Sequence, residues 1–89
     1  MAPSKDEAFT RAVQTVRSLP SEPAMDNDTK LLFYSLYKQG TIGDVNVERP
    51  TGWLEIEGKA KWDAWNKLKG TRPEVARATY VRELNSRMK

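Results

Sequence analysis

Tyr34, Tyr37 and Lys38 are spaced so that on a helix they share one face. A step of three residues turns a helical position by about −60 degrees and a step of four by about +40 degrees, which holds both rings and the ammonium in one sector. A tyrosine ring can stack under adenine, and a hydroxyl and an ammonium beside it can donate hydrogen bonds to a phosphate. The same spacing also fits two core tyrosines with a lysine snorkelling to water beside them. The run Gly58-Lys59-Ala60-Lys61-Trp62-Asp63-Ala64-Trp65-Asn66-Lys67-Leu68-Lys69 is the densest gathering of lysine and tryptophan in the chain. Within it Lys61 and Trp65 share a face at i,i+4, so a cation stands beside an apolar indole. A solvated lysine face over a tryptophan core gives the same pattern, and neither cluster alone identifies a ligand.

Catalytic chemistry has few parts to draw on. The chain contains no histidine and no cysteine, which removes the commonest general base and metal ligand, thiolate metal sites and disulfides. The carboxylates are scattered over helices that use them as caps or ion-pair partners, and no nucleophile has an evident base. No catalytic residue, metal site or cofactor is expected, and an enzyme is not the expected class. Fifteen Lys and Arg against 12 Asp and Glu leave a net charge of +3. That surface is mixed, whereas nucleic-acid-binding domains concentrate more positive charge. A small excess still permits a local basic patch that meets a compact polyanion. No apolar run approaches the roughly 20 residues that span a bilayer. The start, Met1-Ala2-Pro3-Ser4-Lys5-Asp6-Glu7, lacks the apolar segment of a signal peptide. A soluble protein in the cytoplasm is the expectation.

The elements that must position these residues are helices. Ser4 and Glu7 form a capping box, and Phe9, Ala12, Val13, Val16 and Leu19 follow at helical spacing, which predicts a first helix from about Lys5 to Ser18. Pro20-Ser21-Glu22-Pro23 is a loop. Asp26, Asn27 and Asp28 offer caps for a second helix carrying Leu31, Leu32, Tyr34, Ser35 and Lys38, with Gly40 as its left-handed terminator. From Thr41 to about Leu54 the period dissolves among Gly43, Asp44, Asn46, Pro50 and Gly52, which predicts a long ordered connection. Helix returns from Glu55 to Lys69, with Ile56, Ala60, Trp62, Trp65 and Leu68 as its apolar positions and Gly70 ending it. Thr71 and Glu74 repeat the capping box around Pro73. A fourth helix then runs to near Met88, with Val75 or Ala76, Tyr80, Val81, Leu84 and Met88 facing inward.

Eighty-nine residues suffice for one core, so residues 1–89 are expected to form a single domain. Four amphipathic helices without a convincing strand make an all-α bundle. The long connection between the second and third helices makes an overhand crossing plausible there.

Several separated motifs carry a resemblance. Tyr34-Ser35-Leu36-Tyr37-Lys38-Gln39, then Thr41-Ile42-Gly43-Asp44-Val45-Asn46, then Glu48-Arg49-Pro50, and the unbroken Gly58-to-Asn66 run resemble the signature of the acyl-CoA-binding protein family. With Leu68-Lys69-Gly70 and Tyr80 behind them, the resemblance covers essentially the whole chain. It implies a four-helix bundle of up-down-down-up topology that binds one medium- to long-chain fatty acyl-CoA per monomer without cleaving it. Such a protein acts as an intracellular carrier and pool former in lipid metabolism, with transient contacts to membranes or acyl-CoA-using enzymes. Carried over by position, the resemblance implies that Tyr34 and Lys38 hold the ribose 3′-phosphate, that Lys61 contacts the nucleotide head, and that Tyr37 lies next to the adenine. Tyr80 would stand beside the ligand or pack between helices. Arg17 occupies a position where the family commonly has lysine, keeping the charge with a different reach. Of the paired tryptophans, Trp62 is the candidate for a ring near the ligand and Trp65 for packing. The chain departs from the common pattern with extra residues around Met25 to Asp28 and at Thr51-Gly52, and with Lys30 near an apolar position that flanks the acyl pocket.

Two other classes compete. Lysines interleaved with aromatics and a pI near 9.3 suit a nucleic-acid-binding module, but no concentrated basic helix or groove-reading motif is present, and no nucleic-acid partner is expected. An adaptor presenting its tryptophans to a protein partner is the other.

Overall fold

Helix termini in this chain are set by side chains and by two glycines in left-handed conformations. The computed structural model describes residues 5–18 and 26–87. Among them are four helices and no strand: α1 (Lys5–Ser18), α2 (Asn27–Thr41), α3 (Ile56–Asn66) and α4 (Pro73–Arg87). Ser4, Leu19, the Pro20–Pro23 loop, Met25 and Met88 lie outside the described residues. Of the three candidate caps for α2, Asp26 takes the role: its carboxylate accepts from the Thr29 amide at 2.8 Å. That bond holds the Asp26 carboxyl below its ordinary range.

Gly40 is not the terminator of α2. It sits inside the last turn, buried, where an added Cβ would lie 2.8 Å from the Arg77 side chain of α4. Its value is close approach, and the left-handed residue is Gly43, at φ 101°. The Ile42 and Gly43 amides both return to the Lys38 carbonyl, at 2.8 and 3.2 Å, which closes the helix. α3 is shorter than expected at its end. Asn66 is its last residue, and residues 67–70 form a turn that finishes at Gly70, at φ 92°. α4 begins at Pro73, with the Arg72 carbonyl receiving the first amides, those of Val75 and Ala76, both at 3.0 Å. Proline at the first helical position loses nothing there, because its missing N–H has no intrahelical partner.

The contacts read along the chain give the topology. Phe9 of α1 lies beside Gly40 near the end of α2, while Val16 shares a groove with Lys30 and Phe33 near its start. α2 meets α4 in the opposite sense, Gly40 against Arg77 and Phe33 against Arg87. Tyr34 and Lys38 of α2 meet Lys61 and Trp65 of α3 in the same order. α2 and α3 are therefore parallel, and the order is up-down-down-up.

The core belongs to three of the four helices. Phe9, Ala12 and Val13 of α1, Phe33 and Leu36 of α2, and Ala76, Tyr80 and Leu84 of α4 form one buried cluster. Tyr80 is its hub, edge-on to Phe9 at 5.3 Å and to Phe33 at 4.9 Å between ring centroids, geometries that aromatic quadrupoles favour. Of the two candidates at the start of α4, Ala76 faces inward and Val75 is exposed. α3 packs outside this cluster against α2 and buries Trp65, whereas Ile56, one of its expected apolar positions, is 74% exposed.

The connection of residues 42–55 is held by α3. The Trp62 and Trp65 indoles donate to the carbonyls of Val47 and Gly43, each at 2.8 Å. Arg49 forks onto Asp63 at 2.8 and 3.1 Å, which keeps the Asp63 carboxyl below its ordinary range. Thr51-Gly52 leads into a reciprocal turn, where the Glu55 amide donates to the Gly52 carbonyl at 3.0 Å and the Gly52 amide to the Glu55 carboxylate at 3.2 Å. A parallel crossing needs this length of chain, and the two indoles and the arginine fork keep it ordered.

Candidate functional site

Tyr34 is the centre of the site. Half-buried on α2, it lies where the end of a cleft between α2 and α3 meets a second groove between α1, α2 and α4. The first holds about 840 Å³ and the second about 420 Å³. Lys30 and Tyr34 line both.

Two ammonium groups converge on the Tyr34 ring. Lys38, one turn along α2, stands 5.8 Å from its centroid, and Lys61, from α3, 5.5 Å. Lys38 is also 5.7 Å from the Trp65 ring, so the buried indole serves as a floor for the cation. Lys61 pairs with Glu57 at 3.3 Å, but the Glu57 side chain is 84% exposed. A pair so open to water contributes under about 1 kcal/mol, so a multiply charged phosphate can take Lys61 from it.

The second groove carries the remaining cation from α1. Arg17 donates to the Tyr37 hydroxyl at 3.4 Å, with its guanidinium 5.5 Å from that ring. Tyr37 in turn stacks on Phe9 at 6.2 Å. Tyr80 forms the groove's base and is only 3% exposed. Burial, opposed by the nearby Arg17, pushes its phenol up to about 12, so it stays protonated and can act as a donor, not as a base.

Six of the seven residues expected at the site thus fall on these two grooves: Tyr34 on both, Lys61 on the larger, and Arg17, Tyr37, Lys38 and Tyr80 on the smaller. Trp62 lines neither, and its indole N–H is engaged with Val47 in the connection. The walls hold residues that the sequence analysis did not assign to the site. Leu31, Leu54, Ile56 and Ala60 face the larger cleft, and Val13, Val16 and Phe33 the smaller groove. Leu54 and Ile56 are large apolar side chains left 74% exposed, and Trp53 beside them is 81% exposed. Exposed apolar side chains next to an apolar cleft mark a surface that meets something other than water. The signal in the sequence was Trp53-Leu54-Glu55-Ile56, three apolar residues in four at the mouth of a helix.

The arrangement gathers cations from three helices around aromatic rings and places apolar channels beside them. Such an arrangement is chemically suited to a molecule with an anionic, ring-bearing head and a hydrocarbon body. Among the described residues no group of three or more carboxylates gathers as a metal site, and no helix is long and apolar enough to cross a membrane.

Residues 6–84 match the family model described as acyl CoA binding protein. Acyl-CoA-binding protein homolog 3 of Caenorhabditis elegans is 44% identical over 84 residues, 92% of this chain and 72% of that one. The acyl-CoA-binding protein of Dictyostelium discoideum is 48% identical over 73 residues, 82% of this chain and 83% of its own. The crystal structure of an acyl-CoA-binding protein from Moniliophthora perniciosa superposes with a TM-score of 0.88 at 42% identity, covering 98% of this chain and 83% of that one. With the family model matched over most of its length and the same fold in a relative 42% identical, the chain belongs to the acyl-CoA-binding protein family.

Proposed function

We propose that this protein is a carrier that binds one medium- to long-chain fatty acyl-CoA per monomer and leaves it intact, holding a pool of the ester in the cytoplasm for lipid metabolism. The observation that carries the reading is the convergence of Lys38 and Lys61, from two helices, on Tyr34 at the head of an apolar cleft. Tyr34 and Lys38 take the ribose 3′-phosphate, and Lys61 the rest of the nucleotide head. Tyr37, steadied by Arg17, lies against the adenine, and Tyr80 donates from the groove's base. Trp62 acts by fixing the connection that carries Leu54. The whole chain works as one acyl-CoA-binding domain, and ligand exchange occurs in transient contact with membranes or with enzymes that use the ester. No cofactor or nucleic acid takes part.

The magnitudes divide the work between head and tail. Each charge-assisted hydrogen bond to a phosphate contributes on the order of 1.5 to 3 kcal/mol. Burying a palmitoyl tail contributes up to roughly 11 kcal/mol at about 0.8 kcal/mol per methylene, before ordering costs. The tail therefore sets much of the affinity and the head sets identity. Calorimetry with CoA and a graded acyl-CoA series tests this. Two added methylenes should tighten binding by roughly 1.6 kcal/mol, about fifteenfold, until the cleft is full. Equal affinity for free CoA and palmitoyl-CoA would defeat the carrier reading.

A further inference from the structure

Lys30 is the residue that acyl-CoA binding alone does not account for. It lines both grooves together with Tyr34, is exposed to solvent, and pairs with no carboxylate among the described residues. Glu57 lines the same cleft, and its carboxylate is paired at 3.3 Å with Lys61 and not with Lys30. Lys30, Tyr34 and Lys38 form an i, i+4, i+8 ladder on α2, so Lys30 stands about 6 Å from Tyr34 along the helix, on the side away from Lys38. Lys30 shares the larger cleft with Lys61 and the smaller groove with Arg17 and Lys38, but of these cations only Lys38 and Lys61 stand over the Tyr34 ring.

The walls it shares carry hydrocarbon, Leu31, Leu54 and Ile56 on one side and Val16 and Phe33 on the other, beside the polar Asn27, Glu57 and Arg17. An alkyl chain laid past this point can pack on the Lys30 stem but gains nothing from its ammonium, which stays in water, and covering that ammonium without a partner costs binding free energy. A chain that ends in a carboxylate turns the same ammonium into a partner through a charge-assisted hydrogen bond. Lysine, a compact point charge on a flexible stem, suits a terminal group whose position varies with chain length.

We propose that Lys30 is a specificity-determining residue that admits acyl-CoAs carrying a second carboxylate on the acyl chain, the class of dicarboxylic acid monothioesters. The inference rests on the carrier reading and adds a second anionic contact at the tail end of the same site.

Calorimetry on the full chain, the Lys30→Met variant and the Lys30→Arg variant tests it, using dodecanoyl-CoA and dodecanedioyl-CoA. Position 30 is exposed in a helix, and methionine is a good helix former of similar length. Relative to the native protein, Lys30→Met should bind dodecanoyl-CoA more tightly and dodecanedioyl-CoA more weakly, shifting the preference between them by about tenfold or more, and Lys30→Arg should restore it. A preference that stays within about twofold across the three proteins, with dodecanoyl-CoA bound by all of them, overturns the Lys30 assignment and leaves the carrier reading standing. Failure of the native protein to bind dodecanoyl-CoA or palmitoyl-CoA overturns both.

Discussion

The Lys61 ammonium stands 5.5 Å from the centre of the Tyr34 ring, across the gap between α3 and α2. Lys38 approaches the same ring from within α2 at 5.8 Å. Two like charges gathered over one aromatic ring repel each other, and a bound polyanion relieves that repulsion. Lys38→Ala should weaken palmitoyl-CoA binding by about 1.5 to 3 kcal/mol, roughly ten- to hundredfold. The loss should be far smaller for an analogue without the 3′-phosphate. Calorimetry on both ligands decides the point, since an equal loss for the two would remove Lys38 from that contact.

Tyr80 makes stability fall at alkaline pH. Burial pushes its phenol up to about 12, whereas tyrosine in an unfolded chain titrates near 10. The folded state holds this proton longer than the unfolded chain does. The resulting stability is fully present below pH about 10 and is lost as pH rises toward about 12, a loss of about 2 to 3 kcal/mol from this group. Denaturant midpoints measured across that window should fall less steeply for Tyr80→Phe than for the native protein. Parallel slopes would show that the phenol does not titrate out of the core.

Gln39 fastens the end of α2 to the start of α4. Fully buried, it donates to the Thr71 carbonyl at 2.7 Å and to Asp44 at 2.9 Å. Asp44 also accepts from the Gly70 amide at 2.8 Å. Gln39→Leu keeps the volume but leaves the Thr71 carbonyl short of a donor, and should cost about 1 to 3 kcal/mol. Thermal unfolding measures it, and an unchanged midpoint would mean that water replaces the amide.

The same network sets an acid response. The Gly70 amide first, and Gln39 second, hold the Asp44 carboxyl below its ordinary value of 3.8. A depressed folded value gives stability that is present above the unfolded value and is lost as pH falls through the folded one. Gln39→Leu, by removing one of the two donors, should leave the protein with a shallower loss of stability below pH about 4 than the native chain shows. Identical acid profiles would place the acid sensitivity elsewhere.

Gly43 tests the closing of α2. At φ 101° with nothing within 4 Å of an added Cβ, Gly43→Ala meets no clash, so its cost is backbone strain alone, about 1 to 2 kcal/mol. Equilibrium unfolding should show that decrease. Because the Gly43 carbonyl also receives the Trp65 indole, an altered tryptophan spectrum should accompany it.

Helix α2 shows where the letters stop being informative. Leu31, Leu32, Phe33, Tyr34, Leu36 and Tyr37 are nearly consecutive large apolar or aromatic residues, so the pattern points around most of the helix and selects no single face. Of the positions the spacing named, Ser35 is buried while Leu31 and Leu32 are only partly so, and Phe33, Leu36 and Gln39, which it did not name, are buried. Packing on both α4 and α3 made that choice. Gly40 reads as a terminator by residue type, and only the approach of Arg77 shows that it is there for its lack of a side chain.

From the amino acids alone came four helices, the span of α1, the long link between α2 and α3, and the shared face of Tyr34, Tyr37 and Lys38. All of these follow from capping chemistry and a period of about 3.6 residues, which act between near neighbours in the chain. Folding alone brought Lys61 to Tyr34, seated Tyr80 in the core and turned Trp62 onto the connection. These outcomes join residues distant in sequence, and they are set by how whole helix faces fit together, which no local spacing encodes.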